Sequence, residues 1–291
     1  MVKIVESSRS AWQSLAKVVS PEVKAEYLRA VLAAGFLHLD AVSFVSREAM
    51  PQMADSELVL EYLDAPEDVE IIGMVANARG AERALESERV TTLAFPYSIS
   101  PTFLDRNQRQ TPQEAMDQLE QVGELAYKGG QDVVAYVAMA FGNPYGDAWD
   151  IDEVVSAVDL LVDSGVAQVV LSDTAGTAPV ELVRDVVACV LGVHESMEVG
   201  VKLRASATDA AAKIRAAYEA GCRRFDATLG GVGGPPMAAG FDAGVAAGNM
   251  PTELLVETLR KMGAQLPELE PLDRLVVTSR ALERRFGALV Q

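Results

Sequence analysis

Eight short apolar runs, each followed by a stretch with helical periodicity, restrict what this chain can fold into more than any other feature. The runs are Val2 to Glu6, Phe36 to Ser43, Glu70 to Val75, Val90 to Phe95, Asp132 to Ala138, Gln168 to Leu171, Glu198 to Leu203 and Arg223 to Ala227. Repeated strand-helix units imply parallel strands covered on both faces, and eight of them predict an α/β fold, a closed (β/α)8 TIM barrel. Periodicity alone does not prove closure, so an open doubly wound sheet is the structural alternative, although no early GxGxxG accompanies it.

The intervening helices have legible ends. Thr111, Pro112 and Glu114 form a cap, a proline at the first helical position and a capping-box partner. Asp150 with Glu153 is a weaker start, and Gly80, Gly129, Gly165 and Gly221 lie near terminations or turns. GGVGG at 230–234 follows the eighth run without a P-loop ending, and reads as a turn, a phosphate-contacting loop, or both. The small-residue segment 235–249 reads as a mobile loop over the strand ends. Residues 264–291 read as a charged C-terminal helical extension of a single domain spanning 1–291.

Charge and length narrow the function classes. Lys and Arg total 25 against 42 Asp and Glu, a formal charge of -17 with no basic run, which argues against nucleic acid as a partner. Every apolar run is too short to span a bilayer, and the start lacks a signal-peptide core, so no membrane partner is expected and the cytoplasm is the expected location. Cys189 and Cys222 are too few and too separated for a disulfide framework or a thiolate metal cluster. His38 and His194 are the only imidazoles; His38 reads as packing, a buried hydrogen bond or a neighbour of Asp40, and His194 as a helix-end residue.

In a barrel, polar groups that end different strands converge on one face. That rule gathers Arg9, Asp40, Asp173, Lys202, Arg204 and Asn249. Arg9 reads as a fork for a carboxylate or carbonyl, or as a salt-bridge partner. Trp12 reads as core or pocket wall, and Gln13 as a ligand-orienting or capping amide. Asp40 and Asp173 could accept a proton, hold a cation, orient another side chain or cap backbone. Lys202, if it points inward, could form a Schiff base, supply fixed charge or pair with Asp40 or Asp173. Arg204, two residues on, suits a substrate carboxylate or phosphate.

The blocks ESSRSAWQS, DAVSFVSREAMPQMAD, MAFGNPYGD, VLSDTAGTA, AGCRRFDATLGGVGG and GNMPTE run in order over about the first 265 residues. Together they resemble the hydroxymethylglutaryl-coenzyme A lyase branch of the family that also contains isopropylmalate and citramalate synthases. The resemblance implies a carbon-carbon lyase in which a divalent metal polarises the substrate. It gives Arg9 a substrate-binding role, and matches Asp40 and Asp173 to acidic positions on the second and sixth strands. Asn249 matches an asparagine of the family metal site, and Asn143-Pro144-Tyr145 a loop that helps form the active site.

Four positions depart from the family pattern. Ser10 stands where the resemblance implies a metal-binding Asp, Lys202 and Arg204 stand where it implies two His ligands, and Pro235 stands where it implies a cysteine. A hydroxyl is a weaker ligand than a carboxylate, and neither cation replaces a neutral imidazole. Three readings follow: a metal-independent lyase or aldolase, a ligand-binding or regulatory paralogue, and a residual divalent-metal lyase. The first expects catalytic roles for Arg9, Asp40, Asp173 and Lys202. It expects substrate binding by Arg9, Gln13, Asn143, Tyr145, Arg204 and Asn249, with no metal or other cofactor. The expected ligand is an anionic acyl or oxo-acid compound; the expected protein partner is a second copy or an active family member.

Overall fold

The eight runs become the eight staves of one closed barrel. The structure, a computed structural model, describes residues 1–234 and 248–287. Its strands are β1 (Lys3–Glu6), β2 (His38–Ser43), β3 (Glu70–Met74), β4 (Thr92–Ser98), β5 (Asp132–Ala138), β6 (Gln168–Ser172), β7 (Glu198–Lys202), β8 (Arg204–Ala205), β9 (Arg224–Ala227) and β10 (Gly248–Asn249). Strands β1 to β7 and β9 close in the order β1-β2-β3-β4-β5-β6-β7-β9, all parallel, which excludes the open-sheet alternative. Closure is direct, with Lys3, Ile4, Val5 and Glu6 of β1 beside Arg224, Phe225, Asp226 and Ala227 of β9. The pair β8 and β10 forms a separate antiparallel ribbon after β7.

The helices are α1 (Ser8–Trp12), α2 (Pro21–Ala33), α3 (Ser56–Leu63), α4 (Ala78–Glu86), α5 (Pro101–Gln108), α6 (Pro112–Gly129), α7 (Ile151–Asp163), α8 (Val180–Val193), α9 (Ala210–Glu219), α10 (Thr252–Lys261) and α11 (Asp273–Phe286). The α6 start is the capping box expected from Thr111 and Glu114: Thr111 Oγ1 accepts from Glu114 N at 3.2 Å, and Glu114 Oε2 accepts from Thr111 N at 2.8 Å. Such a cap is worth about 1 kcal/mol. Gly130, at φ 77°, ends the helix in the left-handed conformation that a side chain resists. Asp150 caps α7 through Glu153 N at 2.8 Å. Among the described residues, no helix is long and apolar enough to cross a membrane.

Alternate residues of each strand face the lumen or the helices. Val5, Ile72, Ala94, Val134 and Val170 fill the middle of the lumen with an apolar plug. The outward residues, such as Ile4, Leu93, Val169 and Phe225, join the larger core beneath the helical ring. The N-terminal floor is ionic. Lys3 Nζ contacts Glu70 Oε2 at 2.9 Å and Glu198 Oε1 at 3.1 Å, and His38 Nδ1 lies 2.8 Å from Glu70. His38 therefore belongs to this floor, one inward layer below Asp40. Burial opposes the Glu70 charge, but the His38 and Lys3 contacts exceed it and hold that carboxyl below its usual range.

Gly200 of β7 is a packing requirement, because a Cβ there would lie 2.7 Å from Cδ and 2.8 Å from Cγ of buried Arg224. Those atoms sit mid-chain on an arginine whose head is fixed at 2.8 Å to both Gln168 and Glu198, so they cannot swing aside. Gly200→Ala is expected to cost about 2 kcal/mol by overpacking, read as a lower urea midpoint with an unchanged m value.

The C-terminal extension is a brace. Ser279 Oγ of α11 donates to Leu229 O at 2.8 Å, while Ala16 N and Lys17 N donate to Gly287 O and Phe286 O at 2.8 and 3.0 Å. One helix thereby ties the glycine-rich turn after β9 to the segment after α1, and both flank the C-terminal mouth of the barrel. Pro235, most of the small-residue segment and residues 288–291 lie outside the described residues.

Candidate active site

Strand β1 ends in Glu6, and the chain turns directly into the short buried helix α1, which carries Arg9 over the barrel mouth. Strand β2 brings Asp40 to the same place, and the register slips between Asp40 and Val42. Such irregularities re-aim side chains beside barrel mouths. Arg9 grips Asp40 as a fork, Nε to Oδ1 at 2.6 Å and Nη2 to Oδ2 at 2.7 Å, and its Nη1 donates to Gln13 Oε1 at 2.7 Å. Asp40 is fully buried. Burial works against its charge, but the Arg9 and Lys202 charges outweigh that and hold the carboxyl below its usual range.

Lys202, the last residue of β7, points into the same cluster. Its Nζ lies 3.4 Å from Asp40 Oδ2 and 3.5 Å from Ser7 Oγ, and 5.4 Å from the centre of the Tyr136 ring. Both polar contacts are at the long limit of hydrogen bonding. Burial pushes the ammonium below its usual pKa; Asp40 and Asp226 pull it up, while Arg9 and Arg204 push it further down. Tyr136 is itself held by a hydrogen bond from its hydroxyl to Asp226, which also accepts from Arg224 Nε at 3.3 Å.

The ribbon carries the next group. Arg204 pairs with Asn249 across β8 and β10, and Asn249 Nδ2 donates to Val232 O at 2.9 Å and reaches Ser10 Oγ at 3.4 Å. Arg204 Nη2 donates to Gly234 O at 2.6 Å; its buried Nη1 has no hydrogen-bond partner among the described residues. Burial lowers the Arg204 pKa to about 10, with Asp173 pulling it back up.

Of the residues picked out from sequence, Arg9, Gln13, Asp40 and Lys202 form one contact network, with Arg204 close enough to influence Lys202 and Asn249 beside Ser10. Asp173 is engaged elsewhere. Its Oδ2 accepts from buried Lys213 at 3.1 Å, and its Oδ1 accepts from Thr177 N at 3.2 Å and Ala178 N at 3.4 Å, so it anchors the turn after β6. Burial raises its pKa, and Lys213 offsets part of that rise. Asn143 organises its own loop, accepting from Tyr145 N at 3.0 Å and Asp147 N at 3.1 Å, and donating to Asp147 O at 3.0 Å. The Arg106 guanidinium lies over the Tyr145 ring at 4.8 Å. Trp12 packs edge-on to Tyr27, ring centres 5.9 Å apart, as a core residue. Cys222 is a buried thiol pushed up to about 12 by burial, which leaves it unreactive.

The sequence reading missed Glu6, Tyr136, Asp226 and Lys213. A carboxylate inside the buried run RFDA and a lysine within the alanine-rich face AAAKIRAA were the available signals for Asp226 and Lys213. Glu6 joins the mouth to its surroundings: Oε1 accepts from Leu229 N at 2.9 Å and Oε2 from Thr252 Oγ1 at 2.6 Å. Burial raises its carboxyl to about 8. A carboxyl with a raised folded pKa stabilises the fold below its ordinary pKa, and that stability is lost as pH climbs from about 4.5 to about 8. Glu6→Gln keeps the neutral shape. It is expected to remove most of the fall in unfolding free energy across that window, measured by urea titrations at a series of pH values.

Comparison with known proteins agrees with this architecture. The family described as HMGL-like matches residues 2–277. The hydroxymethylglutaryl-CoA lyase YngG of Bacillus subtilis is 27% identical over 269 residues, covering 92% of this chain and 87% of that one. The cytoplasmic 3-hydroxy-3-methylglutaryl-CoA lyase of Danio rerio is 29% identical, covering 91% of this chain and 77% of that one. A solved HMG-CoA lyase of Acinetobacter baumannii, in complex with coenzyme A and 3-methylmalate, superposes with a TM-score of 0.87 at 30% identity, covering 99% of this chain and 92% of that one. With a barrel of the same design matched over nearly its whole length, this chain belongs to the HMGL-like family.

Proposed function

We propose that this protein is a carbon-carbon lyase that takes an anionic acyl or oxo-acid substrate at the C-terminal mouth of the barrel. In this reading, negative charge developing on the reacting carbonyl is held by the chain's own cations. The observation that carries it is the charge balance of the mouth. Among the described residues, Arg9 and Lys202 meet on the buried carboxylate Asp40, and the charge of Arg204 acts on Lys202, while Asp173, the carboxylate that acts on Arg204, is ion-paired with Lys213. An excess of buried positive charge inside a protein of formal charge -17 needs an anion to complete it. The relative from Acinetobacter baumannii, with its bound coenzyme A and 3-methylmalate, sets the chemical class of compounds to try.

The donors around this space do not suit the divalent metal that the family resemblance implies. Lys202 and Arg204 are cations, Ser10 offers a neutral hydroxyl, and both Asp40 oxygens are taken by Arg9. In cleavage of a 3-hydroxy acyl compound the hydroxyl proton passes to water, the breaking C2–C3 pair becomes a C1–C2 double bond and the carbonyl π pair moves to oxygen, which a fixed ammonium or guanidinium can stabilise. Binding without turnover is a second reading, favoured by one observation: Asp40 is clasped by Arg9 and held below its usual range, which weakens it as a base, and Asp173 is occupied by Lys213 and the turn after β6.

The deciding experiment incubates the purified protein with 3-hydroxy-3-methylglutaryl-CoA and with 4-hydroxy-2-oxo acids, and follows carbonyl products and ligand binding together. Cleavage of any of these supports the proposal. Tight binding without cleavage selects the second reading, and neither binding nor cleavage rejects both.

A further inference from the structure

We propose that Lys202 is a nucleophile that forms an imine, through Nζ, with the keto carbon of a 2-oxo acid whose adjacent carboxylate is held by Arg204. The inference rests on the reading of the barrel mouth as the site of an anionic acyl or oxo-acid compound, and it names the covalent chemistry and the substrate class within that reading.

The buried and half-buried lysines differ in how well they are satisfied. An ammonium has three donors. Lys213 uses all three, on Arg204 O at 2.8 Å, Asp173 Oδ2 at 3.1 Å and Asp209 Oδ2 at 3.4 Å. Lys24 is bound to Asp55 at 2.6 Å and also donates to Gln52 O. Lys3 spans Glu70 and Glu198 at 2.9 and 3.1 Å. Among the described residues, Lys202 alone of these four has no polar contact shorter than 3.4 Å, and the carboxylate it contacts is already clasped by Arg9. It is nonetheless held in place, with the Tyr136 ring 5.4 Å away, and 15% of its side chain is exposed. A weakly bonded, oriented and accessible amine in a desolvated setting is the arrangement that imine formation requires.

Arg204 supplies the second, independent observation. It is more than nine-tenths buried, and its Nη1 finds no hydrogen-bond partner among the described residues. Among the described residues this N–H is left free to donate, and a carboxylate is the partner that a guanidinium fork fits. Arg204 lies two residues beyond Lys202 and close enough for its charge to act on that amine. A ligand bridging them would present an electrophilic carbon next to a carboxylate, and a 2-oxo acid has that pairing.

The step balances without a further reactant. The Nζ lone pair of the neutral amine forms the bond to C2, and the carbonyl π pair moves to oxygen, which takes a proton. That oxygen takes a second proton and departs as water with the C–O bonding pair, leaving a protonated imine. Starting from the ammonium, two of its three protons leave in the water and one stays on the nitrogen. With a 4-hydroxy-2-oxo acid, the hydroxyl proton passes to water, the C3–C4 pair moves into a C2–C3 double bond, and the imine nitrogen takes the π pair. The aldehyde or ketone leaves, and an enamine remains on Lys202.

The test treats the whole protein with pyruvate, then with acetone, in the presence of borohydride, and reads intact mass and peptide maps; cleavage of 4-hydroxy-2-oxo acids and of 3-hydroxy-3-methylglutaryl-CoA is followed on the same samples. One reduced pyruvyl adduct on the Lys202 peptide is expected, absent in Lys202→Arg and retained in Lys128→Arg, whose lysine is on the surface. Arg204→Gln should lower pyruvate trapping about tenfold while leaving acetone trapping little changed. The map of the unmodified sequence decides the proposal even if a variant folds poorly. Adducts spread over surface lysines, or none at Lys202, overturn it. Cleavage without an adduct overturns the imine and leaves the lyase reading standing; the absence of both overturns both.

Discussion

Asp40→Asn is expected to destabilise the fold by about 3–5 kcal/mol, the cost of leaving buried charge without its partner. Asp40 is fully buried and, among the described residues, is the carboxylate that both Arg9 and Lys202 contact. An asparagine keeps the volume, but its amide nitrogen would face a guanidinium N–H where an oxygen now accepts. Two cations then face each other in a desolvated space. Urea unfolding at neutral pH should show the loss as a lower midpoint. Adding Lys202→Met to Asp40→Asn should recover part of it, because one of the stranded charges is then gone. The native protein should show the related effect with acid. The Asp40 carboxyl is held below its usual range despite burial, so its contribution is present above the ordinary carboxylate pKa and is lost as pH falls below it. A variant as stable as the parent at neutral pH would mean that Arg9 and Lys202 find other partners.

Lys202→Met should lower kcat/KM for cleavage about a thousandfold, while the urea midpoint changes little or rises. The two readouts separate because of how Lys202 is bonded. Its contacts at 3.4 and 3.5 Å return little stability against the cost of burying an ammonium, and Asp40 keeps its Arg9 fork when the lysine is removed. A methionine fills most of the volume and can pack on the Tyr136 ring. If Lys202 were only structural, activity and stability would fall together, and kcat would follow the folded fraction.

All eight barrel strands were legible because each is a short, mainly apolar and largely buried segment, such as IIGM of β3 or VVL of β6, bounded by a helix with its own period. Ends were less legible than existence. Strand β4 was expected to stop at Phe95, before Pro96, yet it continues to Ser98. The pairing with β3 ends at Ala94, so beyond that point β4 is laddered only to β5, and a missing N–H is tolerated on the unpaired side. The ribbon of β8 and β10 has two residues in each strand, too few to carry any period, although it places Arg204 beside Asn249.

The site was legible to the extent that strand ends converge. Arg9, Asp40 and Lys202 meet as the barrel rule requires. The rule says which end a residue occupies, and leaves open which neighbour claims it. Asp173 sits at its strand end as expected but is claimed by Lys213, a helix residue forty positions later. Tyr136 and Asp226 were passed over because a polar residue inside an apolar strand reads as a minor interruption until the lumen shows the two bonded to each other beneath Lys202.

In the proposed reading, positive charge from Lys202 and Arg204 stands where the family resemblance implies a divalent metal. The most direct measurement is the cleavage rate of chelator-treated, metal-analysed protein, with and without added Mg2+ or Mn2+. Full turnover is expected at metal contents far below one ion per chain, with no gain on adding either cation. Turnover that vanishes with the chelator and returns in proportion to one bound ion per chain would contradict it.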